Sequence, residues 1–107
     1  MSRKLLCVFL LFTVNIFAQN QGNLSGRVID SETGFGLEGA TIQIQNSDFY
    51  TITDQNGNFK IADIPTSSFN VTASFIGFKS QTKFNVIVKS AGNQSLQYIL
   101  NPSSEIL

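Results

Sequence analysis

Tyr50-Thr51-Ile52-Thr53-Asp54-Gln55-Asn56-Gly57-Asn58-Phe59-Lys60-Ile61 is the stretch that decides the fold. Tyr50 and Ile52 alternate with Thr51 and Thr53, and Phe59 and Ile61 flank Lys60. A period of two sends successive side chains to opposite faces of an extended chain, so Tyr50, Ile52, Phe59 and Ile61 are predicted to face a core. Between the two runs, Asn56 and Gly57 both tolerate positive φ, which predicts a type I′ hairpin turn.

The same alternation extends in both directions. Upstream, Leu24, Gly26 and Val28 form one inward set, and Ala40, Ile42 and Ile44 form the next. Downstream come Phe69, Val71, Ala73 and Phe75, then Phe84, Val86 and Val88, then Leu96, Tyr98 and Leu100. Together these runs predict seven strands, rich in β-branched and aromatic residues. The breaks carry turn chemistry: residues 30–36, Asn46-Ser47-Asp48, Pro65-Thr66-Ser67-Ser68, Gly77 and Ala91-Gly92-Asn93. Short strands at this spacing predict an all-β, seven-stranded antiparallel β-sandwich, with Thr, Gln, Asn and Lys turned to water.

The first residues read differently. A basic start at Arg3-Lys4 leads into an apolar run from Leu5 to Phe17, and small Ala18 follows. This is the pattern of a secretory signal peptide over residues 1–18, cut after Ala18. The run is shorter than the roughly 20 residues that span a bilayer, so no membrane insertion is expected once it is removed. Cys7 lies near the start of the run, where it serves as apolar filler rather than as a lipidation site. Residues 19–22 are predicted to be a short linker, 23–101 the β-domain and 102–107 a C-terminal tail. The protein is expected to be exported, to the periplasm or the outer membrane, with the cell surface as the alternative, and to stand without disulfides.

Composition excludes several kinds of function. The sequence contains no His, and its single Cys falls in the leader, which removes the commonest general base, metal ligand and thiol nucleophile. Neither a catalytic residue, a metal ligand nor a cofactor site is predicted. Asp54-Gln55-Asn56-Gly57-Asn58 begins like a calcium loop, but Phe59 stands where the loop needs glycine and Pro65 where it needs the distal Glu. Asp30 and Asp54 read as turn caps. After the leader, Arg27, Lys60, Lys79, Lys83 and Lys89 face seven carboxylates, a mild and evenly spread balance that does not recruit nucleic acid. Phe35 and Phe78, beside loops, are the two aromatic residues expected to be free for contacts.

Several segments together resemble a known family. They are Gly26-Arg27-Val28-Ile29-Asp30, Thr33-Gly34, Leu37-Glu38-Gly39-Ala40-Thr41-Ile42, Thr53-Asp54 through Phe59, Ile64-Pro65 and Ser74-Phe75-Ile76-Gly77-Phe78-Lys79. Their order is similar to that of the carboxypeptidase regulatory-like domain, from Asn23 to about Leu100. The resemblance implies an immunoglobulin-like or transthyretin-like sandwich without catalytic activity. Within it, Gly39-Ala40 is a tight lead-in to a strand, Asp54 to Phe59 a turn whose Phe anchors the core, and Gly77 a bend. A leader followed directly by this domain is similar to the N-terminal extension of TonB-dependent, SusC-like outer-membrane receptors. Such an extension implies a periplasmic accessory or interaction domain with a protein partner. The residues given end at Ser103-Ser104-Glu105-Ile106-Leu107, about where a receptor's TonB box would begin, so a piece of a receptor and a stand-alone module are both expectations. The alternatives are a free-standing secreted module for glycan or a surface assembly, and a structural spacer.

Overall fold

The computed structural model describes residues 20–103. The expected signal peptide, Cys7 and the end of the tail lie outside them. Seven strands follow in order: β1 (Gln21–Asp30), β2 (Thr41–Ile44), β3 (Tyr50–Ile52), β4 (Asn58–Pro65), β5 (Ser67–Ser74), β6 (Gln81–Val88) and β7 (Asn93–Leu100). They form two sheets, β4-β1-β7 and β3-β2-β5-β6. The expected β-sandwich is therefore present. One pairing has a different sense: β1 and β7 run parallel, with Val28 beside Tyr98, while every other pairing is antiparallel. The first and last strands can lie parallel because the whole chain forms the crossover between them.

The core fills the space between the sheets. Leu24 and Val28 of β1, Ile42 and Ile44 of β2, Val71 of β5, and Tyr98 and Leu100 of β7 are fully buried, and Phe59 joins them from β4. The Phe59 and Tyr98 rings lie 6.3 Å apart at 50°. Tyr98 brings a polar atom inside and satisfies it by donating to the Val71 carbonyl at 2.6 Å, which ties the two sheets together.

Four details differ from the sequence reading. First, Gln21 and Gly22 belong to β1 rather than to a linker, and Pro102 and Ser103 are fastened to the fold rather than left in a tail. The Ser103 amide donates to the Gly77 carbonyl at 2.8 Å. Second, the turn at Asn56-Gly57 is not type I′, since only Gly57 has positive φ, at 80°. The Gly57 amide donates to the Asp54 carbonyl at 3.0 Å, and the Asp54 amide to the Asn58 carbonyl at 2.9 Å. That is the three-residue loop closed by a glycine bulge. It carries the chain from β3 in one sheet to β4 in the other, so no hairpin is made there.

Third, β3 has the opposite phase. Its inward residues are Phe49, Thr51 and Thr53, whereas Tyr50 and Ile52 face solvent. The inward Thr53 hydroxyl accepts from the Ala40 amide at 2.8 Å and donates to the Leu37 carbonyl. Hydrogen-bonding demand in the neighbouring loop thus outweighs the apolar alternation. Fourth, Phe84 points outward and is 68% exposed, although Val86 and Val88 are buried as expected. β6 carries one extra residue opposite β5 between Phe69 and Val71, with Asn85 at φ 57°. Such a bulge shifts the phase of everything before it by one. Asn70 stabilises it by accepting from the Asn85 amide at 3.1 Å. A similar irregularity at Asp63, φ 60°, turns Ile64 inward.

Candidate interaction surface

The motif residues gather at one end of the sandwich. Val28 fills the core there, and Gly26 lies so close to β7 and Phe59 that a Cβ would meet the Leu96 carbonyl at 2.0 Å. Gly57 docks under Val28, its carbonyl oxygen accepting from the Val28 amide at 2.8 Å. Ala40 is fully buried behind Gly39, whose φ is 85°. Phe59 is buried, and Gly77 forms the bend after β5 at φ 86°. These positions shape the backbone and the core.

The carboxylates are occupied in the same way. Asp30 Oδ1 accepts from the Glu32 amide at 2.8 Å, and Asp54 Oδ1 accepts from the Asn56 and Asn58 amides, both at 2.9 Å. Each closes a turn around its own backbone. The Tyr98 phenol has a pKa well above its ordinary value because burial disfavours the anion. It sits inside the core, away from any cleft. A shallow depression of about 460 Å³ lies over Gly26, lined by Arg27, Asn58, Ser95 and Gln97. It brings together none of the acid–base pairs that catalysis requires.

What the surface does offer is apolar side chains and open sheet edges. Phe35 is 74% exposed on the loop after β1, as expected. Phe78 is not free: it packs against the core and against Phe75, with ring centroids 5.7 Å apart. Its neighbour Ile76, 90% exposed at the tip of the bend, takes the outward place. Tyr50 and Ile52 stand on the edge strand β3, and Phe84 and Ile87 on the edge strand β6. Residues 84 and 50 were missed in the sequence because both belong to runs whose phase is set by tertiary contacts. The Asn85 bulge leaves no compositional trace.

A groove of about 560 Å³ runs between β6 and β7, where the edge of one sheet meets the edge of the other. Lys83, Phe84, Val86, Lys89 and Leu96 line it. The charges are not evenly spread, contrary to the sequence reading. From Pro65 to Ser103 there is no Asp or Glu, only Lys79, Lys83 and Lys89. The carboxylates of the described residues all precede Ile64. The β6–β7 side of the sandwich is therefore cationic and the remainder acidic, a division visible in the sequence only when charge is counted by strand.

Comparison with known proteins agrees with this architecture. Rat carboxypeptidase D is 35% identical over 80 residues, covering 75% of this chain and 6% of that protein. The chain thus spans a small fraction of the curated relatives it matches. Among solved structures, a chain of a type II cohesin–X–dockerin complex from Acetivibrio cellulolyticus superposes with a TM-score of 0.67 at 17% identity, covering 80% of this chain and 61% of that one. Catechol 1,2-dioxygenase of an Acinetobacter species superposes with a TM-score of 0.62 at 10% identity, covering 88% and 58%. An interaction complex and an enzyme thus share the fold, which by itself is silent on activity. The CarboxypepD_reg-like domain family matches residues 24–107. The chain belongs to that family, as a regulatory-like domain and not as the catalytic domain of a carboxypeptidase.

Proposed function

We propose that the chain is a non-catalytic interaction domain of the cell envelope, the periplasmic N-terminal accessory domain of a TonB-dependent outer-membrane receptor. One observation carries the interaction reading. Large apolar side chains stand on unpaired sheet edges, Tyr50 and Ile52 on one and Phe84 and Ile87 on the other, while the carboxylates at the turns are used to close the backbone. Solitary exposed apolar residues are ordinary, but pairs of them on open edges form the usual platform for an added strand. The leader pattern at residues 1–18 supports export, and the order of motifs supports the receptor context.

Site-specific photocrosslinking in living cells tests the proposal. A photoreactive phenylalanine analogue replaces Tyr50 or Phe84, and covalent products are identified by mass spectrometry. The expected product joins the chain to an outer-membrane receptor or to a periplasmic protein bound to one. Products confined to cytoplasmic proteins, or none from either edge, contradict it.

A further inference from the structure

β6 and β7 are end strands of different sheets, so among the described residues each has one backbone edge without a strand partner. One end of the seam between them is closed. Gln81 Oε1 accepts from the Ile99 amide at 3.2 Å, and the Lys83 ammonium lies 5.3 Å from the centre of the Tyr98 ring. Toward the other end the bulge at Asn85 bends β6 and turns Phe84 out, and the groove opens beside Val86 and Leu96. Asn70 holds the bulge from the far side, so the opening is built into the sheet.

Two properties select the occupant. A slot bordered by a free strand edge fits an extended segment, which gains main-chain hydrogen bonds as an added strand. The charge selects its composition. Lys83 and Lys89 border the groove, and no carboxylate lies on β5, β6, β7 or the loops joining them. A basic segment would face uncompensated ammonium groups, whereas an acidic one would be attracted. The described residues of a second copy of this chain do not supply it. Among the described residues the carboxylates sit in loops, at the end of β1 and in the β4 bulge, and none alternate along a strand.

We infer that the β6–β7 groove docks an extended acidic segment of a partner protein, with apolar side chains against Phe84 and Leu96 and carboxylates toward Lys83 and Lys89. This inference rests on the reading of the chain as an interaction domain and names the partner's chemistry. The test is an amide-resolved NMR titration of the full chain at low ionic strength. One probe is a ten-residue peptide alternating Val with Glu; the other has Lys in place of each Glu. The glutamate peptide is expected to shift the amides of residues 84–89 and 94–96 and to bind about tenfold more tightly than the lysine peptide. Raising salt to 0.5 M weakens it several-fold, because the charges are partly exposed. The double variant Lys83→Glu, Lys89→Glu is expected to lose about tenfold in affinity, while Lys60→Glu on β4 loses none. Circular dichroism confirms that each variant is folded, and Phe84→Ser offers a variant without charge reversal, also expected to weaken binding. Equal binding of both peptides, shifts confined to β3 and β4, or no shifts at millimolar peptide would overturn the inference. The crosslinking at Tyr50 stands apart from these outcomes, so an interaction domain that uses its other edge is distinguishable from no interaction at all.

Discussion

Replacing Thr53 with valine preserves its shape and removes only the hydroxyl. Thr53 is 4% exposed, and its oxygen is the partner both of the buried Ala40 amide, at 2.8 Å, and of the Leu37 carbonyl. Each buried group left unpaired costs about 1–3 kcal/mol. Leu37 is only half-buried, so its carbonyl recovers part of that from water, and the sum comes to about 2–4 kcal/mol. In a domain of this size each kcal/mol moves the melting temperature by about 4–8 °C, so a fall of about 10–25 °C is expected. Thr53→Ser keeps the hydroxyl and loses a methyl group, at a cost of about 1 kcal/mol. Thermal and urea unfolding of the full chain, followed by circular dichroism, should rank the wild type above Thr53→Ser and Thr53→Val lowest. A valine variant within about 0.5 kcal/mol of wild type, or above the serine variant, would refute the inward placement of Thr53 and the reversed phase of β3.

Gly57→Ala combines a φ of 80° with a Cβ placed 2.4 Å from the Val28 carbonyl oxygen, and should cost about 3 kcal/mol or more in urea unfolding. Gly77→Ala has the same strain, at φ 86°, but nothing within 4 Å, and should cost only about 1–2 kcal/mol. Phe84→Asp should change stability by about 0.5 kcal/mol or less in the same assay, whereas Val86→Asp, two residues on and buried, should prevent folding. Tyr98 holds its proton in the folded state above the pH at which the unfolded phenol, with its ordinary value near 10, releases it. Stability from this group is thus complete below pH 10 and falls above it, by up to about 1.4 kcal/mol per pH unit. Tyr98→Phe should remove that alkaline limb and cost about 1–2 kcal/mol at neutral pH through the lost bond to Val71.

The strands that alternate cleanly were legible because burial and alternation agree in them. Ile42 and Ile44, Val71 and Ala73, Tyr98 and Leu100 all face the core as their spacing predicts. The segment from Thr53 to Phe59 was legible as a turn, but not as a change of sheet. A turn's residues report its local φ values, whereas the destination of the chain beyond it is decided by distant packing. β3 and β6 were misread for one shared reason. Their phase depends on a single hydroxyl and a single extra residue, Thr53 and Asn85, and neither alters the hydrophobic pattern. The exposed edges at Tyr50 and Phe84 follow directly from those two departures. Phe35 was legible as exposed because it lies among polar loop residues, while Phe78 was not legible as packed because its ring partner Phe75 meets it only across the bend and Pro102 bridges to it from beyond the last strand.

Hydrogen exchange of individual amides in the full chain, without any partner, tests the open β6–β7 seam most directly. Amides of β6 from Phe84 to Val88 that point away from β5 should exchange within minutes, while Leu24, Ile42 and Val71 in the sheet interiors stay protected for hours or longer. Protection across β6 equal to that of β5 would mean the edge is already covered, and would contradict an interaction surface there.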